Sequence, residues 1–382
     1  MDRERIWPVS TSVVAPPAGS DAKVLVQIQW LRAVAAITVV FHHANFHWNG
    51  LREALDLPSA DFLGLHCWWF GIYIFFVISG FLMVRASPDF GVPGAPRRFL
   101  ARRMIRIVPL YWLLTTLSVI AVILIPSSEV IETGTLAYVV KSYLFIPTLR
   151  AAGDVRPILG QGWTLNYEMF FYLCFALAML LPRRLGLPAL TAAFLALAWI
   201  GRDATVATPI FYSVTDGLLV VFLFGCGLGL AHEKGLRLSW PIALATIVAG
   251  IAWLLANLQG SAPWVAGVPA LLVVAGVTLR PPPRETVAGR WFAAVGDASY
   301  SLYLTHTFVL RGVFLVWKRL WLSAATVPFF MLASSLAAVL ASLLIYRYVE
   351  RPMTRALLAR YRAMETSGRL PALAPAAEPR IA

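Results

Sequence analysis

An apolar run of about 17–25 residues is the length of helix that crosses a ~30 Å hydrocarbon core, and this chain carries ten stretches of roughly that kind. They lie at approximately 26–45, 66–84, 104–125, 162–181, 187–200, 212–231, 240–257, 263–279, 292–312 and 325–348, the fifth being short. With 59% of residues hydrophobic, 13% charged and a mean hydropathy of +0.73, the chain is far more apolar than a soluble domain, which is roughly 45–50% apolar. The expectation is an all-α, polytopic membrane protein of about ten transmembrane helices.

Basic residues give its orientation. With the N-terminus inside, 24 of the 32 Lys and Arg fall in cytoplasmic segments or the inner ends of the spans, the bias expected of inner loops. Counting residues 135–146 as an eleventh span would erase that bias, so this segment reads as an interfacial or re-entrant helix. Both termini are then cytoplasmic, and the chain belongs in the inner (cytoplasmic) membrane as a multi-pass protein. Residues 1–24 read as a flexible cytoplasmic tail, 25–349 as the transmembrane domain and 350–382 as a cytoplasmic C-terminal tail. The formal charge of +13 is accounted for by inner loops facing anionic lipid, so no nucleic-acid partner is expected. Cys67, Cys174 and Cys226 have neither CxxC nor paired spacing, which leaves them as small core residues.

The ionisable groups inside the spans carry the functional information, because a charge at the bilayer centre costs at least ~2.5 kcal/mol. Arg32 and His43 are eleven residues apart in the first span, three turns plus about 20°, so both leave one face of one helix. His42 points about 100° away and is the weaker candidate. Glu168 lies in the fourth span within GWTLNYEMFFYL, and the ninth carries Tyr300, Tyr303 and His306 within SYSLYLTH. His306 reads equally as a hydrogen-bonded core residue and as a functional group. At ~1.5 Å per residue from the inner surface, His43 is about 24 Å up, His306 about 20 Å and Glu168 about 21 Å. Arg32 sits ~9 Å up, with Arg102, Arg103 and Arg106 at or below the inner surface. A basic inner shelf thus underlies an outer His/Glu shelf. Arg102 and Arg106 share a helix face, and such a fork suits phosphate or diphosphate, although the segment reads equally as a cytoplasmic anchor. Ser79 and Gly80 are small residues among large apolar ones, where close helix packing is favoured over a catalytic serine.

At these residues the chain resembles the acyltransferase family 3 membrane proteins, and within them the exopolysaccharide O-acetyltransferases. The resemblance runs from about residue 26 to 352. Arg32 and His43 match the family's arginine, ten residues, histidine signature; FFVISGF matches its second-helix motif and RRMIR its inner basic motif; GWTLNYEMFFY and SYSLYLTH match two more. Tyr73 departs from the pattern, standing where relatives commonly carry an acid.

The resemblance implies transfer of an acyl group, usually acetyl from cytoplasmic acetyl-CoA, to a hydroxyl of an extracytoplasmic or lipid-linked glycan such as exopolysaccharide. The CoA phosphates would bind Arg32, Arg102, Arg103 and Arg106, and the acceptor would meet Trp163, Tyr300 and His306. His43 would be the general base, with Glu168 holding its tautomer or stabilising the imidazolium; a covalent acyl-histidine is equally open. No metal is expected, since His43 and His47 are spaced i, i+4 without a third ligand. A transporter or flippase of glycan or lipid is the alternative, but no internal repeat or pair of broken helices supports it.

This orientation predicts that, in intact cells, a membrane-impermeant thiol reagent labels a cysteine placed within residues 152–160 and spares one placed at Arg97. The reverse pattern inverts the topology.

Overall fold

The computed structural model describes residues 20–64, 68–124, 136–257, 263–281 and 286–367. The expectations for most of the N-terminal tail, for Cys67 and for residues 368–382 fall outside that range. The described residues are predominantly helical, with one isolated β-bridge between Leu149 and Val155. Five helices among them are long and apolar enough to cross a membrane: Trp68–Ala86, Ala95–Leu124, Arg183–Asp203, Pro209–Glu233 and Val327–Glu365. Trp240–Ala256 and Val265–Thr278 are shorter apolar helices.

The chain divides into two compact units, one of residues 1–78 and 231–350, the other of 79–230 and 351–382. The first is built on α1 (Ser20–Glu53) and the start of α2 (Gly71–Ala86). The second contains the rest of α2, then α3 (Ala95–Leu124), α4 (Leu136–Tyr143), α5 (Trp163–Ala178), α6 (Arg183–Ile200) and α7 (Pro209–Val214). The helix α8 (Leu218–Glu233) ends that run. The first unit resumes with α9 (Trp240–Ala256), α10 (Pro263–Thr278), α11 (Val287–Asp297), α12 (Ser299–Leu320) and α13 (Val327–Ile345). A π-helical turn, Tyr346–Glu350, leads into α14 (Arg351–Thr366), which belongs to the second unit.

In the first unit α1 packs against α11, α12 and α13. Ala36, Val40, Ala44 and Trp48 recur every fourth residue, so one stripe of α1 is buried, against Leu302, Leu310, Phe330 and Met331. Two polar latches fix the register: Trp30 Nε1 donates to Gly289 O at 2.8 Å, and Trp48 Nε1 to Val327 O at 3.2 Å. The α1/α11 contact is close because Gly296 has no side chain; a Cβ there would lie 1.9 Å from Gln29 O.

In the second unit α3 packs against α4, α5 and α14. An aromatic core joins α3, α5, α6 and α8, with Phe99 on Phe175 (5.2 Å between centroids), Phe171 on Phe194 (5.9 Å) and Phe171 stacked on Phe222 (4.4 Å). The helix α4 is the short element expected at 135–146. It is pinned to α3 by the Tyr111 hydroxyl, which donates to Ser142 O at 2.8 Å, and by Trp112 Nε1, which donates to Tyr143 O at 2.9 Å. Beyond it, Arg150 makes a two-pronged ion pair with Asp154 (2.6 and 2.7 Å), and Arg156 Nε adds a third contact at 2.8 Å. The Arg150 hydrogen bonds hold the Asp154 carboxyl below the usual range, so this loop is tightest at neutral pH and loosens as pH falls through the lowered value.

Several boundaries depart from the sequence reading, each for a local reason. The helix expected from 104 begins at Ala95, because Arg97 to Arg103 continue it toward its N-terminus. The run 212–231 is broken: Asp216 accepts the Leu218 N–H at 2.8 Å, capping a new helix, and Tyr167 donates to its other oxygen at 2.9 Å. The ninth span is likewise two helices, parted at Ala298. The tail expected at 350–382 contains α14, whose shielded residues Thr354, Leu357, Leu358 and Tyr361 recur at helical spacing.

Gly296→Ala is expected to lower thermal stability in detergent, with a cost of about 1–3 kcal/mol for overpacking. Gly312→Ala, where nothing lies within 4 Å of the new methyl, is expected to be neutral or mildly stabilising. Equal unfolding temperatures for the two variants would show that α1 and α11 are not in close contact.

Candidate active site

The first unit brings two histidines together. His43 on α1 and His306 on α12 have ring centroids 4.8 Å apart, and His306 Nε2 lies 3.2 Å from His43 Nδ1. His306 is fully buried, whereas His43 is half-buried and His42 exposed. That contrast follows the angular argument from the sequence.

The carbonyl partners decide where the protons sit, because a carbonyl oxygen only accepts. His306 Nδ1 is 3.0 Å from Leu302 O, so it carries hydrogen and leaves Nε2 as an acceptor in the neutral ring. His43 Nδ1 is 3.0 Å from Val39 O, so it too carries hydrogen, shared between Val39 O and His306 Nε2. The neutral His43 ring therefore keeps its lone pair on Nε2, the nitrogen turned away from both acceptors. An imidazole in this tautomer is set to take a proton or to attack a carbonyl carbon.

His306 is held in turn by its own helix. Ser301 Oγ donates to Glu350 Oε2 at 2.5 Å and Thr305 Oγ1 to Ser301 O at 2.7 Å, which ties this turn of α12 to the π-helical turn after α13. Tyr303 stands 6.1 Å from His306 between ring centroids and packs edge-on against Phe75. Tyr300 is half-buried on α12. Arg32 is buried on α1, its Nη1 donating to Gln29 Oε1 at 3.2 Å.

The second unit holds a polar cluster on α2, α3 and α5. Glu168 accepts hydrogen bonds from Ser79 Oγ, at 3.2 Å, and from the Tyr172 hydroxyl. The Arg103 guanidinium lies over the rings of Tyr172 (5.6 Å) and Phe99 (5.5 Å), within the electrostatic reach of Glu168. Trp163 opens α5 and sets its ring edge-on to Tyr167 at 5.8 Å.

Three expectations change. Val39 O and His306 fix the His43 tautomer within the first unit, one of the two roles expected of Glu168, which within the second unit accepts from Ser79 and Tyr172. Arg103, expected on the inner basic shelf, lies on α3 with its guanidinium over the ring of Tyr172, whose hydroxyl donates to Glu168. Arg102 is exposed, with its Nε on Arg98 O at 3.3 Å, and Arg106 is half-buried. Ser79 is a hydrogen-bond donor, and the close packing belongs to Gly80, where a Cβ would lie 2.0 Å from Phe222 O. The sequence reading passed over Tyr172, Asp216 and Glu350; an acid within an apolar run is the signal that marked Asp216.

Among the described residues no group of three or more His, Cys, Asp and Glu is placed to hold a metal ion. What the fold and site define is a helical membrane protein with a pair of histidines whose tautomers are fixed by backbone carbonyls. The profile described as an acyltransferase domain matches residues 25–347, and the chain belongs to this family, the acyltransferase 3 membrane proteins. It is 35% identical over 298 residues to the exopolysaccharide production protein ExoZ of Rhizobium meliloti (strain 1021), covering 75% of this chain and 89% of the relative. It is 28% identical over 334 residues to nodulation protein 10 of Rhizobium leguminosarum bv. viciae, covering 76% of this chain and 84% of that protein. No solved structure matches the chain significantly.

If His306 positions His43, His306→Ala lowers kcat of acyl transfer about tenfold or more with little change in KM, and His306→Asn recovers part of the loss by restoring an acceptor. A uniform rise in KM with kcat intact would make His306 a substrate ligand instead.

Proposed function

We propose that this protein is an inner-membrane O-acyltransferase that moves an acetyl group from cytoplasmic acetyl-CoA to a hydroxyl of an extracytoplasmic or lipid-linked glycan of the exopolysaccharide type. The observation that carries this reading is the His43 tautomer, with Nδ1–H bound to Val39 O and His306 and the ring lone pair left on Nε2. The family supplies the acyl-transfer chemistry, and the name of the Rhizobium meliloti relative supports the glycan. Ten membrane crossings with both termini in the cytoplasm complete the proposal, on the strength of the inner-loop arginines.

In the proposed step His43 Nε2 takes the proton of the acceptor hydroxyl as its oxygen attacks the thioester carbonyl carbon. The C–O bond forms, the C–S bond breaks, and the departing CoA thiolate recovers the proton from Nε2. While His43 is an imidazolium, His306 Nε2 accepts its Nδ1–H in a charge-assisted bond, which favours the protonated ring as it forms. The glycan contacts fall to Trp163 and Tyr300, and the CoA phosphates to Arg32, Arg102 and Arg106. Arg103 is assigned instead to the Glu168 cluster. Glu168 is retained as a supporting carboxylate, held ready by Ser79 and Tyr172.

Radiolabelled acetyl transfer by the purified protein tests the reading. His43→Ala is expected to lose at least ~100-fold in rate and His42→Ala only a few-fold, with Glu168→Gln between them. A dead Glu168→Gln variant beside an active His43→Ala would make the carboxylate the base. Glycan movement across the membrane without acetyl transfer would favour the transporter.

A further inference from the structure

The seam of α1 and α12 that brings His43 to His306 continues outward beyond the pair. His47 follows His43 by four residues on α1, so it lies on the same face about one turn, ~6 Å, further along. Its half-buried ring lies on Phe314 of α12, with centroids 5.1 Å apart and planes inclined at 33°. Gly50 stands against the edge of the same ring, where a Cβ would lie 3.4 Å from Phe314 Cε2. Arg311, on α12 between His306 and Phe314, is exposed and holds its guanidinium 5.5 Å over the Phe314 ring, within electrostatic reach of His47.

Neither polar group is matched by the protein. Among the described residues Arg311 makes no ion pair, and His47 makes ring contacts with Phe46 and Phe314 but no hydrogen bond. The helices around them offer no acid. None lies on α12 itself, which packs against α1, α11 and α13. None lies on α13 either, and the one on α11, Asp297, is fourteen residues before Arg311 and so ~21 Å away along the axis. The outer half of α1 has Glu53 alone, six residues from His47 and about 120° away around the helix. An arginine that only anchored the span to lipid headgroups would need neither the aromatic ring beneath it nor the imidazole beside it.

We propose that Arg311 and His47, held side by side on Phe314, form an acceptor subsite for a carboxylate-bearing sugar of the glycan. The planar guanidinium matches the two oxygens of a carboxylate, and the His47 ring N–H supplies a further donor. Phe314 is the positioning residue, since it stacks with both groups. A single guanidinium suits a monoanion, and its place one to two turns beyond His43 lets one sugar unit present a hydroxyl to His43 Nε2 and its acid to Arg311. This deepens the proposed function, on which it rests, by naming the acceptor as an acidic glycan. None of the three residues lies within the motifs that mark the family, so the subsite distinguishes acceptors rather than supplying the shared chemistry.

The test uses the full-length protein in phosphatidylcholine nanodiscs, so that no anionic lipid competes for Arg311. Two soluble probes are compared: a glucuronate-containing oligosaccharide, and the same oligosaccharide with its carboxyl groups reduced to alcohols. Binding is read calorimetrically without donor, and transfer by radiolabelled acetyl from acetyl-CoA. The wild type is expected to bind the acidic probe about tenfold or more tightly than the reduced one. Arg311→Gln is expected to abolish that preference, and Arg311→Lys to keep part of it, because the charge remains while the fork is lost. Should Arg311→Gln fail to fold, His47→Phe keeps the ring stack, removes the donor and is expected to lower the preference severalfold. No binding, equal affinity of the wild type for the two probes, or a preference that all three variants retain in full overturns the subsite. The proposed function fails separately, if the wild type binds the acidic probe through Arg311 but transfers no acetyl group to it.

Discussion

Inside an apolar helical bundle a polar side chain is satisfied within the protein or by a ligand, because the hydrocarbon around it offers no partner. The architecture follows from that constraint. His306 is fully buried, so both its nitrogens are spoken for, one by the carbonyl a turn back on its own helix and the other by His43. The same requirement draws Glu350 onto Ser301, and Tyr167 onto Asp216 where the apolar run 212–231 breaks. Polar satisfaction thereby sets which turns of α12 and α8 are fixed.

Close approach of helices makes those bonds reachable. A hydrogen bond between two rings on different helices needs the backbones near and in one register, and in the first unit small residues and indole latches supply both. Gly296 lets α11 lie against the Gln29 carbonyl, and the adjacent Trp30 ties the same pair of helices at Gly289, about two turns earlier on α11. With α1 so held, His43 meets His306 while its neighbour His42 faces outward. In the second unit Gly80 and the stacked phenylalanines do the corresponding work: Gly80 lets α2 lie against the Phe222 carbonyl of α8, and Ser79 beside it donates to Glu168.

Charge is handled differently in its two settings. Arg103 is carried into the bundle and covered by aromatic faces, with Tyr172 linking it to a carboxylate, so its cost is offset within the unit. Arg98, five residues earlier, is more deeply enclosed and neither of its Nη atoms has a hydrogen-bond partner. The difference lies in helix phase: residues 98 and 103 differ by about 140° around the axis, so they cannot share a neighbour.

Much of this was legible in the residues. Apolar run length and composition gave an all-helical membrane protein, the eleven-residue step from Arg32 to His43 gave the functional face of α1, and the motifs gave the family. Helix ends were less legible, because hydropathy marks where hydrocarbon begins while helices stop where a cap or a break stops them, as at Asp216, Ala298 and Ala95. Partners were least legible. Depth counting placed Glu168 level with His43, but one coordinate along a helix axis does not say which side chain faces which. Sequence by itself therefore determined the solvent this chain folds in, the class of its elements and the residues able to do chemistry, since these depend on local composition and period. Only the tertiary structure decided that His306 sits on His43, that Arg103 lies beside Glu168's partner and that Arg98 is left unmatched, because those outcomes depend on the rotation and register of helices distant in the chain.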